Sequence, residues 1–277
     1  MKVAIYFAVY KRLKVLKIFL DGLERLKEEN KDIEFIPFAV YSNDDEGIIL
    51  KEYGVRSLKF DNEYLGRKKN AGLKEVLKLD WDYLLELGSD DLVSSKLIDF
   101  YRPRWEAGDS CFGISSCYFI DSATGRVAFW KHNYAIGAGR CIKRSVLDTL
   151  GHRRKVRYLE CAVGENECNG AGAEVIYVSH IADRLIKNGL CEFIEDVNEP
   201  FGLWSDKRQI ALDSDSQFIL GINGYHVKAL DVGDEVMIID IKGDGNLHPF
   251  EKFEVCDKEN VLDGFSDKEI DGIRQIR

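Results

Sequence analysis

The four residues Gly88-Ser89-Asp90-Asp91 place two adjacent carboxylates at the end of an apolar run, Trp81 to Leu87. Oxygens presented in this way suit a hard divalent cation, Mg²⁺ or Mn²⁺, whose sites typically use one or two carboxylates plus phosphate and water. A cation held there can neutralise a leaving diphosphate. Read alone, the same pair would equally cap a turn or a helix start. Two other polar groups also close apolar runs: Tyr10-Lys11-Arg12 after residues 2–10, and Ser42-Asn43-Asp44-Asp45 after Ile33 to Tyr41. If these runs are neighbouring strands, all three groups converge at the sheet edge where ligands of open α/β folds bind.

The periodicity of the first hundred residues predicts such a sheet. Residues 2–10 are nearly all apolar, as for a parallel strand covered on both faces. Leu13, Leu16, Leu20, Leu23 and Leu26 then recur at helical spacing. After the second strand, Ile33 to Tyr41, come a short helix over Ile48 to Tyr53 closed by Gly54 and a third strand over Val55 to Phe60. A second long helix spans Leu65 to Leu79 with Leu73, Val76 and Leu77 inward, and Trp81 to Leu87 is the fourth strand. This alternation predicts an α/β fold, a mostly parallel open sheet with helices on both faces. Beyond Asp91 the pattern changes to a mixed α+β portion. Phe112 to Asp121 and Arg126 to Trp130 read as a hairpin around Ser122–Gly125, Ala135 to Gly139 is glycine-rich, and Arg144 to Leu150 is a short helix. Glu174 to Asn188 and Asp213 to Ile222 read as helices, Val236 to Ile241 as a strand, and Ile270, Ile273 and Ile276 as a last amphipathic segment.

Composition bounds the function classes. The 277 residues, 45% hydrophobic, can fill one large α/β domain, and no apolar run reaches the ~18–20 residues of a membrane span. The short apolar start reads as a buried strand rather than a signal peptide, so a cytoplasmic protein is expected. A net charge of −9 argues against broad electrostatic binding of nucleic acid. Seven scattered cysteines without a CxxC pair point to free thiols rather than a zinc ribbon or a disulfide scaffold. No G-x-G-x-x-G follows the first strand and no P-loop occurs, which removes the common dinucleotide and NTPase readings.

In their order and spacing these residues resemble the nucleotide-sugar glycosyltransferases of the GT-A fold, most closely the family 2 type. Ala8-Val9-Tyr10 sits where that family ends its first strand beside the nucleotide, and Asp44-Asp45 follows the second strand. Lys68-Lys69-Asn70-Ala71-Gly72-Leu73 looks like the family's Ala-Arg-Asn-x-Gly-Leu helix opening. Tyr83 to Asp91 looks like the strand leading into its metal-binding Asp-x-Asp turn. The likeness is fragmentary at 135–150 and 203–250: Gly137 to Leu147 is similar to an acceptor-side segment, and Ile239 to Phe250 to a C-terminal stretch of some members. It departs at Gly88, which replaces the first Asp, at Ala8 and Val9, which replace Pro and Thr, and over 152–200, which has no counterpart.

The resemblance implies a GT-A-type, Rossmann-like catalytic domain with a nucleotide-sugar-binding half over 1–100. An acceptor-side half over 101–277, carrying an insert at 152–200, completes it. It implies a Mn²⁺- or Mg²⁺-dependent transfer of a sugar from a nucleotide-sugar, UDP-sugar favoured, to an acceptor hydroxyl. Asp90 and Asp91 would bind the metal, with His248 a further contact or an ordinary loop histidine. Ala8, Tyr10, Asp44, Asp45, Lys69, Asn70, Ser89 and Lys242 would bind the donor. Asp44 and Asp45 would read the base, and Lys242 would contact phosphate unless it is a solvated edge lysine. An inverting reaction needs a carboxylate base. Asp213 and Asp215 are the candidates, Asp213 first, though both are also good N-caps; Glu174 and Asp183 are weaker ones. Trp81, Trp105, Trp130 and Trp204 read as core, with Trp130 or Trp204 able to stack on an acceptor. That acceptor could be a glycan, a lipid-linked sugar, a protein or a modified nucleobase. A nucleotidyltransferase of related fold and an inactive sugar-nucleotide- or glycan-binding protein are the alternatives.

Overall fold

A computed structural model describes residues 1–63, 65–150, 155–158, 191–194, 220, 224–243 and 250–276. The chain begins β1 (Lys2–Ala8), α1 (Leu13–Glu29), β2 (Glu34–Tyr41), α2 (Asp44–Glu52), β3 (Arg56–Lys59), α3 (Leu65–Val76) and β4 (Tyr83–Gly88). It continues through β5 (Asp91–Val93), α4 (Ser95–Ala107), β6 (Cys111–Ile114), β7 (Ser116–Asp121), β8 (Val127–Lys131), β9 (Arg140–Lys143) and α5 (Arg144–Leu150). Then come β10 (Lys155–Tyr158), β11 (Cys191–Ile194), β12 (Lys228–Leu230), β13 (Ile238–Lys242) and α6 (Asp267–Gln275).

The main sheet has seven strands in the order β12-β6-β9-β4-β1-β2-β3, and β9 alone runs against its neighbours. The expected α/β architecture is therefore present. Along β1 the side chains alternate between two cores: Val3, Ile5 and Phe7 pack with α1, α2 and α4, while Ala4 and Tyr6 pack with α3 and α5. Burial on both faces explains why this strand reads as an unbroken apolar run.

A second sheet, β5-β13-β7-β8, leans on the other side of α1. Val15 and Ile18 of α1 meet Leu92, Ile239, Ile241 and Ile273 there, in a third core. The helix is thus sandwiched, apolar toward the first sheet through Leu16, Leu20 and Leu23 and toward the second through Val15 and Ile18. At the far end of α1, Arg25 donates to Glu269 of α6 at 2.7 Å and to the Val93 carbonyl at 2.6 Å. That bond fastens β5, directly after Gly88–Asp91, to two helices.

Four expectations change. Phe112 to Asp121 is two strands, not one: β6 joins the main sheet and β7 the second, with buried Ser115 and Ser116 at the crossing. Strand β9 was not expected, because four residues with Arg140 and Lys143 at the ends carry no hydrophobic signature. Helix α2 starts at Asp44 rather than Ile48. Asn43 is its N-cap and Glu46 completes the capping box, so Asp44 and Asp45 belong to a first helical turn. Lys69 and Asn70 are likewise in the second turn of α3, not its opening. The predicted helices over 174–188 and 213–222, apart from Leu220, and most of the 152–200 insert lie outside the described residues. The β7–β8 hairpin, α5 and the final amphipathic helix are as expected.

Helix α3 crosses the sheet closely at Gly72, where an added Cβ would lie 1.9 Å from Val40 Cγ2 and 2.7 Å from the Tyr6 hydroxyl. Helix propensity alone would make Gly72→Ala stabilising by about 1 kcal/mol. Overpacking costs about 1–3 kcal/mol and must win at so short a distance. Urea denaturation should therefore show Gly72→Ala less stable than wild type, with an unchanged m-value.

Candidate active site

The carboxyl ends of β1 and β4, the start of α3 and the near edge of the second sheet enclose a cavity of about 470 Å³. On its floor are three carboxylates, Asp90, Asp91 and Asp240, with one oxygen of each within 4.8 Å of the others. Two elements bring them together. The turn after β4 carries Asp90 and Asp91, and β13 pairs antiparallel with β5 so that Asp240 sits directly opposite Asp91. The Ile241 amide also donates to the Asp90 carbonyl at 3.0 Å, which fixes the turn against the second sheet.

Each carboxylate has a different environment. Asp91 is buried and takes the Gly88 amide at 2.5 Å. Burial, followed by the nearby charges of Asp240 and Asp90, pushes its carboxyl well above the ordinary range. Burial and then Asp90 likewise push Asp240 up to about 7, against the pull of Lys242 at 2.5 Å. One Asp240 oxygen is buried with no hydrogen-bond partner among the described residues. Asp90 faces Arg12 at 2.6 Å. Three hard oxygen donors around one point, one of them otherwise unsatisfied, fit a divalent cation such as Mg²⁺ or Mn²⁺.

Gly88 stands where the resembled motif has an Asp, and the packing shows why. A Cβ there would come within 2.5 Å of Asp90 Oδ1 and 3.0 Å of Asp91 Oδ2. The two later carboxylates fold back over the glycine and leave no room for a third on the same turn. Asp240 supplies the third from another strand.

The cationic groups lie around this floor. Lys242 is buried; burial opposes its charge, but Asp240 and Asp90 outweigh it and hold its ammonium protonated beyond the usual range. Its Nζ also lies 4.7 Å from the centre of the Phe119 ring. Lys69 pairs with Glu86, and Arg140 approaches the other Glu86 oxygen at 3.5 Å. Lys68 is buried between three acceptors: the Val9 carbonyl, Ser42 Oγ at 2.7 Å and Asn62 Oδ1 at 3.1 Å. Behind it Glu46 gathers the Lys11 amide, the Ser42 amide at 2.8 Å and the Asn43 amide at 3.0 Å. Burial raises Glu46, yet those backbone donors prevail and hold it below the usual carboxylate range. Apolar lining comes from β7, β8, the loop before β9 and the segment after Phe250–Lys252, which carry Phe119, Trp130, Ile136 and Phe253.

Of the sequence-derived residues, Ala8, Tyr10, Lys69, Ser89, Asp90, Asp91 and Lys242 all line the cavity. Asn70 is buried in α3 beside it without lining it. Asp44 and Asp45 do not line it: they sit on the exposed first turn of α2, where Asp44 pairs with Lys59 at 2.5 Å. Asp213, Asp215 and His248, with Glu174, Asp183 and Trp204, lie outside the described residues. Trp81 and Trp105 are core, and Trp130 lines the cavity. Cys111, Cys117, Cys141 and Cys256 form no disulfide among the described residues. Sequence reasoning put Arg12 at the ligand-binding edge without a role for it, and missed Lys68, Glu86 and Asp240 as cavity residues. Asp240 had a signal: a single acid inside an otherwise apolar strand.

No protein-family model matches the chain, and no curated protein sequence matches it significantly. Solved structures do show likeness. The chain is similar to Staphylococcus aureus TarS at 14% identity and a TM-score of 0.49, covering 87% of this chain and 37% of that one. It is similar to the Pyrobaculum calidifontis mannosyltransferase PcManGT, solved with GDP-Man and Mn²⁺, at 12% identity and a TM-score of 0.46, over 88% of this chain and 58% of that one. It is also similar to 4-diphosphocytidyl-2C-methyl-D-erythritol synthase from Anaerococcus prevotii, at 16% identity and a TM-score of 0.41, over 84% and 90%. Among the described residues no helix is long and apolar enough to cross a membrane.

Burial pushes the Lys68 ammonium down to about 8, with Glu46 and Asp61 opposing. Between pH 8 and 10.5 the native protein therefore releases this proton while the unfolded chain keeps it, so the cost of burying this charge is relieved as pH rises. Denaturation of wild type and Lys68→Met across that interval should show wild type gaining on the variant. A gap independent of pH would contradict the assignment.

Proposed function

We propose that the protein transfers a sugar from a nucleotide-sugar to an acceptor hydroxyl, with a divalent cation on Asp90, Asp91 and Asp240. The observation that carries this reading is the three-carboxylate floor, two acids after the carboxyl end of β4 and a third from β13, in a cavity lined by basic and aromatic side chains. A bound Mn²⁺ or Mg²⁺ would supply Lewis-acid neutralisation of the donor diphosphate. Lys242, protonated and rigidly held, would bear on the same phosphates. The exposed Tyr10 ring and Asn62 also line the cavity and are proposed to face the nucleoside. Trp130, Phe119 and Phe253 would face the acceptor.

In the reaction the acceptor oxygen bonds to the anomeric carbon, the bond from that carbon to the diphosphate oxygen breaks, and the diphosphate leaves with the electron pair. Inversion requires a base to take the hydroxyl proton. Asp213 or Asp215 is proposed for this, with Asp213 first. UDP-sugars are the favoured donors. The same floor would also serve attack at phosphorus, as in a nucleotidyltransferase, and the product separates the two.

The test is incubation with UDP-sugars, GDP-sugars and CDP-sugars in Mn²⁺, with and without EDTA. Release of nucleoside diphosphate is expected, abolished by EDTA and reduced at least about 10²-fold in Asp90→Ala, on the scale of a lost electrostatic contact to the developing charge. Pyrophosphate as product would establish nucleotidyl transfer instead. Turnover unaffected by both EDTA and Asp90→Ala would sink the metal role.

A further inference from the structure

Two consecutive non-glycine residues after β1 have left-handed backbone, Lys11 at φ 60° and Arg12 at φ 55°. Such outliers persist where their surroundings over-determine them, and they gather at functional sites. Arg12 is the N-cap residue of α1, where its donor-only side chain can make no capping hydrogen bond. Its guanidinium instead reaches into the cavity, 2.6 Å from Asp90 Oδ2, and donates to the Ile241 carbonyl next to Asp240. Asp90 is the most accessible of the three floor carboxylates, with 21% of its side chain exposed, and Arg12 is similarly open at 18%. Lys242, the other cation on the floor, is held by Asp240 and by the faces of Phe119 and Phe253 and is only 8% exposed.

We propose that Arg12 is a displaceable counter-ion: it neutralises Asp90 in the empty cavity and turns to the donor diphosphate when a divalent cation takes that carboxylate. The inference rests on the cation and diphosphate reading given above. A guanidinium and a divalent cation on one carboxylate repel each other, and the repulsion is poorly screened at a partly buried site. An anion that pairs with both removes it. Arginine suits the second role because its planar fork matches two phosphate oxygens. Cation and nucleoside diphosphate must then each tighten the other, by the same factor.

The test uses Arg12→Asn, which removes the charge and tolerates a left-handed backbone, and Arg12→Gln, which removes the charge at similar length. Mn²⁺ binding is titrated by electron paramagnetic resonance with and without UDP, UDP binding by calorimetry, and folding by thermal melts. Wild type should bind Mn²⁺ at least about tenfold tighter with UDP than without. Both variants should bind Mn²⁺ alone about tenfold tighter than wild type, lose part of the gain from UDP, and bind UDP more weakly. A folded variant of either kind that binds Mn²⁺ no tighter than wild type, or keeps the full UDP gain, overturns the proposal. If wild type and both variants bind UDP but no Mn²⁺, the cation reading itself fails and the counter-ion role falls with it.

Discussion

Three carboxylates share one point in a partly buried cavity, and much of the surrounding structure manages their mutual repulsion. Asp91 and Asp240 are both pushed upward, by burial first and then by neighbouring carboxylates, Asp240 and Asp90 for Asp91 and Asp90 for Asp240. Without compensation such a cluster would disfavour the folded state, because each buried charge costs several kcal/mol unless it is paired. Arg12, Lys242 and the Gly88 amide each answer one carboxylate. One Asp240 oxygen is left over. A fold gains nothing in stability from an arrangement like this, so it is better explained by what the site must hold.

The cluster depends on how the two sheets meet. Asp90 and Asp91 leave the main sheet at the end of β4, and the second sheet begins with β5 at Asp91 itself. Asp240 returns on β13, in register with Asp91. Helix α1, packed by both sheets, sets their spacing, and the Arg25–Glu269 pair holds β5 from the side away from the cavity. Positioning is therefore distributed. Asp90 and Asp91 sit where β4 passes into β5 and Asp240 inside β13, and the elements that fix those strands are buried and apolar.

Much of this was legible in the amino-acid sequence, for a physical reason. Buried parallel strands and amphipathic helices carry long hydrophobic signatures, so β1, β2, β4, α1 and α3 could be read directly, and with them the sheet edge that gathers Tyr10, Lys69 and Asp90. Short elements with mixed chemistry could not. Strand β9 contributes a fully buried arginine, and a sequence pattern treats Arg140 as a surface residue. Residues whose role depends on long-range partners were equally hidden: Asp240 meets Asp91 from 149 positions away, and Lys68 is buried only because Val9, Ser42 and Asn62 surround it. Asp44 and Asp45 show the reverse error. Two acids after a strand read as a ligand-facing turn, yet Asn43 and Glu46 cap a helix there and turn them outward.

The central claim is that Asp90, Asp91 and Asp240 together form a cation site that presents a nucleoside diphosphate to the cavity. The most direct measurement is anomalous diffraction from crystals grown with Mn²⁺ and UDP. The account predicts a single strong peak within coordination distance of all three carboxylates and of a diphosphate oxygen, with the nucleoside lying toward Tyr10 and Asn62. UDP bound in the cavity with no anomalous peak among these carboxylates, or a peak coordinated elsewhere, would contradict it.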